Sequence, residues 1–94
     1  MNDDPDITAI VRALAKYLRA NPLACDAPDG IVRWWLASQS VSMEKLLQAL
    51  DWMKQQGLVQ EIEAADGRLR YRRSASDELL LLVELGGDTQ ATRH

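Results

Sequence analysis

The stretch from Val41 to Arg73 constrains the fold most, because a helix signal, a stop and a hairpin signal follow one another there. Ser42 is a good N-cap, and Met43, Leu46, Leu47, Leu50 and Met53 recur at helical spacing on one side. Glu44, Lys45, Gln48, Trp52 and Gln55 fall on or near the opposite side. Gly57 stands where a helix ends in left-handed geometry, which glycine adopts without a Cβ penalty. Leu58 and Val59 then start a strand, and Asp66-Gly67 carries the strongest two-residue hairpin signature. Counting outward from that turn pairs Ala65 with Arg68, Ala64 with Leu69, Glu63 with Arg70, Ile62 with Tyr71 and Glu61 with Arg72. Ile62 and Tyr71 then meet on one face and two Glu–Arg pairs on the other, each pair contributing about 0.2–1 kcal/mol. The expectation is a two-stranded hairpin with arginines along its second strand.

Two shorter helical patterns precede this unit. Asp4 can cap the first, Pro5 suits its first position, and Asp6 complements its dipole. Ile7, Ile10, Val11, Leu14, Tyr17 and Leu18 make one apolar stripe, with Arg12, Lys16 and Arg19 on the other side. Asn21-Pro22 stops this helix, and Leu23 to Ala27 reads as a linker. Asp26 or Ala27 caps the second helix, Pro28 lies near its start, and Ile31 to Leu36 form its body. Ile31, Trp35 and either Trp34 or Leu36 can share an inward face. Three adjacent bulky side chains span too wide an arc, so at least one should be partly exposed. After the hairpin, Ser76 or Asp77 can cap a short helix over residues 77–85, with a strand as the alternative. Residues 1–85 are expected to form a single domain and residues 86–94 a tail after Gly86-Gly87.

Composition narrows the function classes. Ninety-four residues make one domain with one small core. The net charge of −3 counts against partners held by phosphate contacts, DNA among them. Cys25 is the sole cysteine and His94 the sole histidine, so neither a disulfide nor a metal site is expected. No cation or histidine near Cys25 in sequence marks it as reactive. Gly86-Gly87 lacks the lysine and helix of a phosphate loop, and no other motif calls for a cofactor. No catalytic constellation stands out, so a non-enzymatic protein is expected. The start is acidic, and the longest apolar run, Leu79 to Val83, falls far short of the roughly 18 residues of a membrane span. A cytoplasmic protein that makes no membrane contact is expected.

Helix, helix, helix and hairpin in that order resemble the winged helix-turn-helix family over residues 6–73. Leu46, Ala49, Leu50 and Met53, followed by Gly57-Leu58-Val59, carry the resemblance. It implies a small α+β domain: a three-helix core, a two-stranded hairpin wing and, here, a possible short C-terminal helix. In DNA-binding members the third helix enters the major groove and the wing touches the backbone. Carried over, Ser42, Glu44, Lys45, Gln48 and Trp52 would face the groove, with Arg68 and Arg70 on the wing. This chain departs from that pattern at Glu44 and Asp51, which would set negative charge beside phosphates. The Leu79–Leu85 run either packs on its own domain or pairs with a second copy, as winged-helix modules that dimerise through an added terminal helix do.

Two functions follow as expectations. The first is a regulatory or adaptor protein that binds a protein partner or itself, with Trp34, Trp52, Leu80 and Leu82 as contact residues. Exposed tryptophan is enriched at interface hot spots, and the Leu79–Leu85 run is more apolar than a free tail should be. The alternative is a DNA-binding transcriptional regulator using Lys45, Gln48, Arg68, Arg70 and Arg72.

Overall fold

The apolar period of the first pattern is realised as helix α1 (Pro5–Ala20), which buries Ile7, Ile10, Val11, Leu14, Ala15 and Leu18 along one stripe. The structure, a computed structural model, describes residues 5–36 and 40–85. The expected Asp4 cap, part of the link before Ser40, the Gly86-Gly87 stop and the 86–94 tail lie outside the described residues. At the end of α1, the backbone N–H and the side-chain amide of Asn21 both donate to the Tyr17 carbonyl, at 2.8 and 3.0 Å. One orphan carbonyl is thereby satisfied, and Pro22 carries the chain away.

The segment expected as a linker contains a short strand, β1 (Cys25–Asp26). Pro28–Gly30 then forms one helical turn that continues in π-helical geometry over Ile31–Trp35; the two together are α2. The wide turn is closed by the Leu36 N–H donating to the Ile31 carbonyl at 3.0 Å. Ile31, Trp35 and Leu36 all reach the core, while Trp34 is left 64% exposed. Ala27 is the N-cap and makes no side-chain capping bond. Asp26, the other expected cap, instead accepts the Trp35 indole N–H at 2.9 Å.

Helix α3 (Met43–Gln55) starts as expected, with the Ser42 hydroxyl accepting the Lys45 N–H. It buries Leu46, Ala49, Leu50 and Met53. Met43 and Leu47, expected inside, are exposed. The inward arc is centred between Leu46 and Met53, so Ala49 falls within it and these two fall on its flank. At the other end Gly57 adopts φ 75°. The Gly57 N–H donates to the Lys54 carbonyl and the Leu58 N–H to that of Met53, a Schellman closure that also seats Leu58 in the core.

Strands β2 (Val59–Glu63) and β3 (Leu69–Arg73) form the hairpin, one residue off the expected register. Glu61 faces Tyr71, Ile62 faces Arg70, and Glu63 faces Leu69. The loop is Ala65-Asp66-Gly67: the Gly67 N–H donates to the Ala64 carbonyl at 2.9 Å, Gly67 has φ 83°, and the Ala64 N–H donates to the Arg68 carbonyl. Burial explains the shift. Val59 follows directly on buried Leu58, and only this parity sets Val59 and Tyr71 on the same inner face. The expected Ile62–Tyr71 contact and Glu–Arg ladder therefore do not form. Strand β1 adds to the free side of β3, with Cys25 opposite Arg72 and Asp26 opposite Tyr71.

The final pattern is a helix, α4 (Asp77–Glu84), capped by the Ser76 hydroxyl accepting the Leu79 N–H. It packs chiefly on α1. Among the described residues the architecture is α+β, with four helices and a three-stranded antiparallel sheet of order β1-β3-β2. The core is continuous from α1 to Tyr71 and Leu80, so α4 shares it with the three earlier helices. No helix among the described residues is long and apolar enough to cross a membrane.

Candidate functional site

Helix α4 carries more leucine than one inward stripe can hold. Leu80 is wholly buried and Val83 half-buried against the core. Leu79, Leu81, Leu82 and Leu85 are left on the outer side, Leu82 at 54% and Leu85 at 73% exposure. Spacings of three and four residues make Leu79, Leu82 and Leu85, with Leu81, neighbours on that surface. The acids flanking them are tied down within the chain. Arg73 Nη1 lies 2.7 Å from Asp77 Oδ1, and Arg19 Nη2 lies 2.6 Å from Glu84 Oε1. The outer face of α4 is thus largely apolar, and Glu78, exposed one helical turn before Leu82, is the acid on it that forms no ion pair among the described residues.

The residues expected to bind a partner differ widely in exposure. Leu80 is corrected to a core residue: as folded it has no surface with which to touch another chain. Leu82 stays on the outer face of α4. Trp34 projects from α2, while its neighbour Trp35 is buried, stacked on Tyr17 at a centroid distance of 5.0 Å. Such a stack contributes about 0.5–1.5 kcal/mol beyond its area. Trp52, expected to be turned away from the leucines, is half-buried and packs against the core.

The residues of the DNA alternative lie on α3 and on the hairpin. Lys45 Nζ sits 2.6 Å from Asp6 Oδ2, which ties α3 to α1. Gln48 is exposed on α3. Arg68 is ion-paired with Asp29 at 3.0 Å, fastening the hairpin loop to the start of α2. Arg72 donates to the Gln60 side chain at 3.1 Å, and Arg70 is half-buried opposite Ile62. Arg70 and Arg72 share the hairpin face turned away from Tyr71.

The inner face of the hairpin holds the most perturbed ionisable group. The Tyr71 hydroxyl donates to Glu61 Oε2 at 2.9 Å. Burial, then that bond and the charges of Glu61 and Asp51, push its pKa up to about 12. Lys54 bridges α3 to the same Glu61 at 3.4 Å. At Asp29, slight desolvation opposes ionisation, but Arg68 and local N–H groups outweigh it and hold the carboxyl below its ordinary range. Cys25 is exposed and shares a shallow cleft of about 260 Å³ with Arg72 and Arg73. Those cations are distant in sequence, so only the β1–β3 pairing reveals them. Among the described residues no cluster of three or more His, Cys, Asp or Glu is arranged to hold a metal.

Comparison with known proteins returns nothing for this chain: no family model, no curated protein and no solved structure matches it. What the chain does must therefore be argued from its own surfaces.

Proposed function

We propose that the chain is a non-enzymatic, winged-helix-like module that acts by protein contact, and that its first contact is with a second copy of itself through α4. One observation carries the proposal: three leucines stand exposed on α4 and a fourth, Leu85, at its C-cap, while the single fully buried one, Leu80, already anchors the helix. Exposed leucines scattered singly need no explanation, but four along one short helix and its C-cap form the kind of patch that marks an interface. A second copy is the fitting occupant because Asp77 and Glu84 are neutralised by their own Arg73 and Arg19. Two such faces meet with little like-charge repulsion, and antiparallel pairing keeps the two Glu78 side chains at opposite ends. Such a two-fold contact uses the same patch on both chains. The winged-helix reading is supported by the order of three helices and a hairpin and by the Gly57 closure of α3.

Sedimentation equilibrium at two protein concentrations tests the proposal. The expected result is an average mass above the 10.5 kDa monomer that rises with concentration, and a Leu82→Asp variant that stays at monomer mass. A monomer at both concentrations contradicts it.

A second reading, a DNA-binding transcriptional regulator, is favoured by one observation: Arg70 and Arg72 lie on the same outward face of the hairpin. It predicts duplex binding that weakens steeply with salt and is reduced by Arg70→Ala. No change in tryptophan fluorescence on adding duplex at low salt would remove it.

A further inference from the structure

The geometry points to a second interaction surface, the outer face of the sheet, that takes a short acidic, leucine-bearing segment of another protein. The observed register builds this face. Pairing Glu61 with Tyr71 and Glu63 with Leu69 takes both glutamates off the arginines and sets them on the Tyr71 side of the sheet. Arg70, opposite Ile62, and Arg72, opposite Gln60, are left together on the other side. Cys25 of β1 stands opposite Arg72 and joins them. A hydrogen bond and a cleft fix the neighbours. Arg72 Nε donates to Gln60 Oε1 at 3.1 Å across the hairpin. Toward β1, Arg72 lines the cleft of about 260 Å³ together with Cys25, Arg73 and Leu23, and Leu23 is 94% exposed. Arg70 and Arg72 lie two residues apart on one strand, so their side chains are neighbours. The face therefore runs from Ile62 and Arg70 through Arg72 to Leu23.

Charge selects the occupant. Neither Arg70 nor Arg72 forms an ion pair among the described residues, and the bond of Arg72 is to a neutral amide. Arg73 is already paired with Asp77. No strand residue on this face is acidic. Guanidinium forks hold carboxylates in bidentate geometry. Duplex DNA fits less well. Each hairpin strand has five residues, so the face is roughly 17 Å long. A phosphate backbone continues past it to Asp29 and Asp66, whose carboxylates already accept the guanidinium and the backbone N–H of Arg68. It also leaves Ile62 and Leu23 without a partner, whereas a short peptide ends before those acids and covers both apolar side chains. The face contains no residue of α4, so this inference does not rest on self-association.

The test uses the full chain and two dye-labelled synthetic peptides of equal length and charge, one alternating glutamate with leucine and one alternating glutamate with serine. Fluorescence anisotropy should show saturable binding of the glutamate–leucine peptide, weakened as salt rises. The glutamate–serine peptide should bind severalfold more weakly. Arg70→Gln and Arg72→Gln should each weaken binding severalfold, with circular dichroism confirming that each variant is folded. Arg12→Gln, which removes an exposed cation of α1, and Leu82→Asp on α4 should leave it unchanged. Cys25, the sole cysteine, reports on the face without any substitution: saturating peptide should slow its alkylation by N-ethylmaleimide severalfold. Absence of saturable binding, equal binding of the two peptides, equal weakening by Arg12→Gln, or unchanged alkylation of Cys25 would each overturn the inference. Tighter binding of a DNA duplex at the same salt concentration would overturn it in favour of the regulator reading. Loss of self-association in the Arg70 variant would assign the face to a second copy and overturn it as well.

Discussion

Helices α3 and α4 are built alike and divide their apolar residues in opposite ways. Each is capped by a serine whose hydroxyl accepts the N–H three residues on. In α3 most of the apolar side chains point in, and the outward residues are charged or amide-bearing apart from Met43 and Leu47. In α4 one leucine is wholly buried and three are exposed, with a fourth exposed at the C-cap. The difference follows from their place in the fold. Helix α3 is packed on by α1, α2 and β2, whereas α4 packs chiefly on α1 and meets the core through Leu80 and Val83. A helix of high apolar content with one covered line has apolar surface to spare, and that surplus is the physical basis of the proposed self-association.

The largest effect that would sharpen this contrast is expected at Leu80. Leu80→Ala should destabilise the domain by about 2–5 kcal/mol, since a wholly buried leucine leaves both lost burial and a cavity. Thermal denaturation monitored by circular dichroism reads it directly. A loss below about 1 kcal/mol would mean that α4 is not part of the core and that its inner and outer sides are equivalent.

Next come the caps. Ser42→Ala and Ser76→Ala should each cost about 1 kcal/mol in urea denaturation. Equal losses would show that α4 is as firmly part of the folded unit as α3. No loss at Ser76 would place α4 among segments that open independently.

Tyr71 gives a pH-dependent comparison of the hairpin's inner face with the rest of the molecule. Its pKa is raised from 10.0 to about 12, so its contribution is complete below pH 10 and declines as pH rises through that range. Stability should fall in that window, and Tyr71→Phe should flatten the fall by removing the group that titrates. An unchanged slope in the variant would place the alkaline loss elsewhere. Asp29 runs the other way: its depressed pKa means that its contribution is present above its ordinary range near 3.8 and fades as pH drops below it. Its exposure keeps that effect small.

The smallest effect on stability is expected on the outside of α4. Leu82→Asp should change unfolding free energy by no more than about 0.5 kcal/mol in dilute solution, in contrast to Leu80→Ala two residues away. A large loss would show that Leu82 supports the fold itself and would erase the distinction between the two sides.

Much of this contrast is legible in the sequence where a local rule acts alone. The apolar period of α1, the Ser42 cap and the Gly57 closure each depend on residues close together in the chain. The hairpin is legible but its register is not, because parity is settled by tertiary burial of Val59 and Tyr71 and not by the turn residues. Strand β1 escapes a sequence reading for a similar reason. Two residues carry no alternation, and their pairing partner lies far along the chain at Tyr71 and Arg72. The same distance hides the cations beside Cys25. The sequence places Trp35 inward, but whether Trp34 or Leu36 joins it is decided by the π-helical turn, which buries Leu36 and leaves Trp34 outside. On α4, composition revealed the excess of leucine, while only the contact with α1 shows that Leu80 is the one committed to the core.

The central claim is that a second chain covers the outer leucines of α4, and intermolecular NOEs in a mixed sample of labelled and unlabelled protein test it most directly. The account predicts cross-peaks between methyl groups of Leu79, Leu82 and Leu85 on one chain and leucine methyls of α4 on the other, with none from Leu80. Intermolecular contacts confined to Trp34 or Leu69, or no such contacts in concentrated protein, would contradict it.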